Sequence, residues 1–250
     1  AGKLLPADAP VEKIAESVYE IRLQPGIRYQ PHPAFAVDAN GAPRYADLDR
    51  EKLKGIERIA DFRETGSREL RADDYIYEIK RLAHPRLHSP IFGMMAEHIV
   101  GLGELGKALQ QAAKGMGRDE WLDLDKYPLS GVEKVDDLTY RVRLKGKYPQ
   151  FLYWLAMPFF APVPREVDRF YNQPGMAEKN LTLDWYPVGT GPYMLVENNP
   201  NSRMVLARNP NFRGETYPCE GEAADREAGL LEDCGKTLPF IERAVFSREK

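Results

Sequence analysis

Charge of one sign, histidine, cysteine and long apolar runs are all scarce in this chain, and each scarcity closes off a class of function. Over 250 residues, 35 basic and 38 acidic side chains leave a net charge of -3. The basic ones are spread without a patch, which argues against a nucleic-acid binder. No apolar run approaches the roughly 20 residues needed to span a bilayer. The four histidines are His32, His84, His88 and His98. His84 and His88 have the spacing of a helical metal pair, but Pro85 between them spoils the helix, so no metal site is expected. GxSxG, P-loop, HExxH and nucleotide-binding GxGxxG motifs are all missing, and Gly101-Leu102-Gly103 has no strand before it. Adjacent carboxylates point apart on a helix, so Asp73-Asp74 reads as helix-start chemistry and Asp136-Asp137 as a turn. Neither catalysis nor a cofactor is expected.

The two cysteines, Cys219 and Cys234, bracket the acidic segment EGEAADREAGLLED. A disulfide there closes a loop of about 15 residues, worth about 3 kcal/mol in the chain-entropy model, and is favoured over two unrelated thiols. It would point to an oxidising compartment. The chain begins AGKLLPADAPVEK, without a basic start and an apolar stretch, so an exported protein would be a processed or trimmed product.

What the chain does carry is a mixture of two periodicities. Ser17–Leu23 (SVYEIRL) and Leu138–Leu144 (LTYRVRL) alternate as strands with one buried face, the second closing a hairpin on GVEKV across Asp136-Asp137. Asp73–Leu82 places Tyr75, Ile76, Ile79 and Leu82 on one helical side and ends at His84-Pro85. Ile91–Lys114 carries helical material interrupted by Gly101, Gly103 and Gly106, and short helices are expected at Tyr148–Leu155 and Arg165–Tyr171. Near the C-terminus, the Gly189-Thr190-Gly191-Pro192 corner leads into two β-like runs, Tyr193–Glu197 and Arg203–Arg208, separated by Asn199-Pro200-Asn201-Ser202. The corner's glycines permit backbone angles closed to other residues and are expected to be needed for that geometry, and Pro200 suits the second position of a tight turn. A last strand is expected within Phe240–Ser247. The fold class is therefore mixed α/β (α+β), without the regular alternation of a doubly wound sheet.

Four collinear segments resemble one family. GTGPYMLVENNPNSRMVLARNPNFRG is similar to the signature hairpin of the dipeptide/oligopeptide-type (family 5) extracellular solute-binding proteins of ABC transporters. VYEIRLQPGIRY resembles that family's strand and turn, and LRADDYIYEIKRLAHP the helix that follows. GVEKVDDLTYRVRLKGKYPQFLYWLAMPFFAPVPREV resembles the hairpin, apolar helix and crossing that lead to the glycine corner. The likeness runs from about Val18 to Phe246, and the chain departs from it in an enlarged 41–70 region and in the Cys219–Cys234 loop.

The resemblance implies a periplasmic-binding-protein-like type II fold, present here as a partial chain lacking the second lobe. Residues 1–157 would form a smaller α/β subdomain of the first lobe, and 158–250 part of its main domain. It further implies a non-enzymatic periplasmic receptor, monomeric, that captures a peptide or similar small solute and delivers it to permease subunits. Oligosaccharides, nickel complexes and haem are the other solutes the resemblance allows. A non-transport interaction module or a hydrolase on the same fold is the alternative. Phe159, Phe160 and Ala161 match the crossing that approaches the ligand, and Trp185 and Tyr186 precede the corner. These five are the ligand-cleft candidates.

Overall fold

The structure, a computed structural model, describes residues 3–6, 8–117 and 120–248. The chain divides into two units, each assembled from two stretches: residues 1–25 with 70–174, and residues 26–69 with 175–250. The single boundary expected at 157/158 falls inside the first unit. Sequence position does not show that the chain leaves the first unit after residue 25 and returns to it at residue 70.

The first unit is built on an antiparallel sheet of β1 (Glu16–Arg22), β2 (Val132–Asp136) and β3 (Thr139–Lys145), in the order β1-β3-β2. Alternation puts Tyr140, Val142 and Leu144 on the buried face of β3. Asp136 Oδ1 accepts the Leu138 N–H (2.8 Å), which makes Asp136-Asp137 the expected turn. Helix α1 (Ala72–Arg81) has Asp73 and Asp74 in its first turn and Lys80 and Arg81 in its last, matching the helix dipole at both ends. Asp74 also accepts the Arg71 N–H (2.9 Å), so the expected helix-start role holds. The next helical stretch breaks into α2 (Phe92–His98) and α3 (Leu102–Ala113), with Gly101 between them at φ 79°. Helices α4 (Phe151–Trp154) and α5 (Arg165–Tyr171) complete the unit. Its core gathers Tyr77, Ile79, Met95, Ile99, Leu109 and Phe151 against β3.

The second unit carries β4 (Tyr193–Asn199), β5 (Arg203–Arg208) and β6 (Arg243–Ser247), antiparallel in that order. The β4–β5 turn is as expected: the Ser202 N–H donates to the Asn199 carbonyl (2.9 Å), with Pro200 second in the turn. Cys219 and Cys234 form a disulfide around a loop containing α6 (Ala223–Glu227). Among the described residues, no helix is long and apolar enough to cross a membrane.

Candidate binding site

The second unit holds a cavity of about 240 Å³ whose walls come from three separated pieces of sequence. The first wall is Gln30–Pro33. His32 opens a 3-10 turn over Pro33–Phe35, where Pro33 supplies the fixed φ and the His32 Nδ1 accepts the Ala34 N–H (3.1 Å). The same segment bridges to Gly66, with His32 N–H donating to the Gly66 carbonyl (2.9 Å) and Gly66 N–H to the His32 carbonyl (3.1 Å). Gly66 is required there because a Cβ would sit 2.1 Å from the Phe35 carbonyl oxygen.

The second wall is Ile59, Ala60 and Phe62. Asp61 fixes this turn by accepting the Glu57 and Arg58 N–H groups (2.9 and 3.0 Å) on one carboxylate oxygen. The third wall is Tyr186 and Pro187 with Met194, Leu195 and Val196 of β4. Three successive strand residues cannot all face one side in regular pleating. Here Leu195 pairs with Leu206 and Glu197 with Val205, so Val196 is an extra residue in a β-bulge, which re-aims the side chains.

Electrostatically the cavity is quiet. Among its lining residues there is no Asp, Glu, Lys or Arg. His32 is 2% exposed, and burial lowers its pKa from 6.5 to about 3, which leaves the ring neutral at physiological pH. Burial likewise raises the Tyr186 pKa. Gln30 is tied to the corner: its Oε1 accepts the Gly189 N–H (3.1 Å), while its own backbone N–H donates to the Gly189 carbonyl (2.9 Å). This arrangement offers shape and apolar surface.

Of the five cleft candidates, Tyr186 lines this cavity. Trp185 is half-buried beside it, and its carbonyl accepts from Asn198 Nδ2 (2.7 Å). Phe159, Phe160 and Ala161 belong to the first unit. Phe160 is 2% exposed and stacks edge-on against Phe151 in that unit's core, Phe159 packs partly buried against it, and Ala161 is exposed.

The glycine corner corrects the sequence reading. Neither Gly189 nor Gly191 has a positive φ, and a Cβ on either would meet nothing closer than 4.0 Å. The corner is held by hydrogen bonds instead: Gln30 grips Gly189, and Asn209 donates from Nδ2 to the Gly191 carbonyl (2.8 Å) and from its N–H to the Pro192 carbonyl (2.8 Å). Thr190 lies half-buried between the two glycines.

In the first unit, sequence reasoning missed a buried polar cluster. Asp168 of α5 accepts from Tyr77 Oη (2.9 Å), Trp121 Nε1 (2.9 Å) and Arg81 Nε (2.8 Å), and Arg81 Nη1 also donates to Glu78 (3.0 Å). Burial pushes the Glu78 carboxyl up to about 7 against the pull of Arg81. The cluster ties α1 to α5 and lines neither the cavity above nor a second one of about 450 Å³ beside α3. The Asp-rich and Arg-rich helix sequences were its only signal. His84 Nδ1 accepts the Arg86 N–H (3.1 Å), and His88 sits at φ 49° outside any helix.

Comparison with known proteins agrees over most of the chain. A family model described as bacterial extracellular solute-binding proteins, family 5 Middle, matches residues 65–226, well over half of the sequence. The chain is 28% identical over 142 residues to the periplasmic oligopeptide-binding protein OppA of Salmonella typhimurium, covering 56% of this chain and 22% of that protein. To the dipeptide-binding protein of Escherichia coli it is 31% identical over 191 residues, covering 74% and 31% respectively. Among solved structures, Listeria monocytogenes OppA bound to peptide aligns with a TM-score of 0.46 at 16% identity, over 78% of this chain and 28% of that one. The chain thus spans less than a third of the length of the curated relatives it matches.

Proposed function

We propose, from the premise that the chain belongs to the bacterial extracellular solute-binding proteins of family 5, that it is part of the solute-capturing component of an ABC import system. The observation that carries this is the family match across residues 65–226, joined by two relatives whose names specify oligopeptides and dipeptides. The solute is a peptide, the compartment the periplasm, and the partners the permease subunits that receive the solute. The protein acts as a monomer and without catalysis. Its ligand is taken up by apolar walls and backbone hydrogen bonds, with affinity set by closure of the binding lobes. A disulfide between Cys219 and Cys234 suits an oxidising compartment.

The interaction-module and hydrolase readings have no observation in their favour. Glu78, the carboxyl that burial raises, is buried, accepts from Arg81 and lines neither cavity. A thermal-shift screen of the protein isolated from its native host tests the proposal. Di-, tri- and oligopeptides should raise Tm in a concentration-dependent way, as any ligand selective for the native state does. A rise with oligosaccharide, nickel complex or haem alone would keep capture and overturn the peptide assignment. No rise with any of them would overturn the proposal.

A further inference from the structure

We infer that the cavity of the second unit is a pocket for one uncharged apolar group of the solute, an aliphatic or aromatic side chain up to about the size of an indole. The inference rests on the solute-binding reading and adds which chemistry the site selects. Size is the first argument. An apolar cavity of about 150 Å³ already binds benzene, whereas whole drug-sized ligands occupy about 300–1,000 Å³. At about 240 Å³ this pocket is of a size to take one side chain.

Charge is the second argument. A cationic or anionic group entering the pocket would leave water for walls of Pro31, Pro33, Ile59, Phe62, Met194 and Val196, with no opposite charge among the lining residues. Of the acceptors in the lining, Gln30 Oε1 and His32 Nδ1 are already taken by the Gly189 and Ala34 N–H groups. Rigidity is the third. Prolines at 31, 33 and 187 limit the backbone, and the Gln30–Gly189 and Asp61 hydrogen bonds hold the walls in place before any ligand arrives. Met194 is the adaptable element: its unbranched thioether lets one pocket accept aliphatic and aromatic shapes alike.

The test uses the 250-residue chain with methyl groups labelled for NMR and three probes: indole, n-butylammonium and butyrate. Indole should shift the methyls of Ile59, Met194, Leu195 and Val196 and saturate, while both charged probes bind at least tenfold more weakly. Ala60→Trp, which fills the rim, should weaken indole binding at least tenfold. If that variant fails to fold, the wild-type methyl map decides alone. Indole shifts located elsewhere, or charged probes binding within threefold of indole, would overturn the assignment. The two readings fail separately. Peptide capture by a protein whose pocket methyls ignore indole removes the pocket and keeps the transport role. Indole at the mapped methyls of a protein that captures no solute leaves an apolar cavity and removes the transport role, and with it this assignment.

Discussion

Acidification should loosen the second unit through His32, by an amount that its surroundings set. The ring is buried, and burial lowers its pKa from 6.5 to about 3. Its Nδ1 accepts the Ala34 N–H, a bond that a doubly protonated ring cannot make. In the unfolded chain the same imidazole takes up a proton near pH 6.5. The folded pKa therefore lies below the unfolded one, and the unfolded state binds more protons as pH falls. Stability is complete above pH 6.5 and is lost progressively between 6.5 and 3. At pH 5 the folded ring is still neutral, so the loss follows from the unfolded ring alone and comes to about 2 kcal/mol relative to pH 7.5. Backbone amide exchange at Gln30, His32 and Gly189, corrected for intrinsic rates, measures it at the site. Protection should fall about 30-fold between pH 7.5 and 5 in the wild type, the equivalent of that free energy. It should hold nearly constant in His32→Asn, where the amide oxygen can still accept the Ala34 N–H. An equal drop in both proteins, or an imidazole that titrates near 6.5 in the folded state, would refute the reasoning.

The first unit should respond with the opposite sign. Burial raises the Glu78 pKa from 4.5 to about 7, so its contribution to stability is complete below 4.5 and is lost as pH rises through 7. Amide protection in α1 should therefore increase on acidification from pH 8 to 5, and Glu78→Gln should flatten that trend. Arg81→Ala strands Asp168 and Glu78 together without a cation and should cost about 3–5 kcal/mol in urea unfolding; a loss under 1 kcal/mol would mean the cluster is already neutralised. Gly66→Ala forces a Cβ against the Phe35 carbonyl and should destabilise the second unit by about 1–3 kcal/mol or more, seen as a lower urea midpoint at unchanged slope. Gly189→Ala should cost well under 1 kcal/mol, since its φ is not positive and its Cβ position is open.

What the sequence made legible was local. The alternation in SVYEIRL and LTYRVRL located β1 and β3 to within a residue, and the carboxylates at Asp73 and Asp74 marked the start of α1, because both signals depend only on near neighbours. The Asn199–Ser202 turn was legible for the same reason. The cavity was not. Its walls lie more than 150 residues apart along the chain, at Gln30 and Val196, and the bulge that turns Val196 is a property of its register with β5. Tyr186 was reached because it adjoins the recognisable corner, while nothing in the sequence marked Pro31 and Pro33. Phe160 was a candidate through the resemblance, but the first unit's own core uses it. The glycine corner shows the limit of residue-type reasoning: glycine permits unusual angles without requiring them, and here Gln30 and Asn209 fix the chain.

Native mass spectrometry of the protein purified from its host without unfolding tests the central claim most directly. The account predicts a ladder of co-purifying peptide masses, enriched in peptides that carry at least one large apolar side chain. A protein that flies empty, and stays empty after incubation with a peptide library, would contradict it.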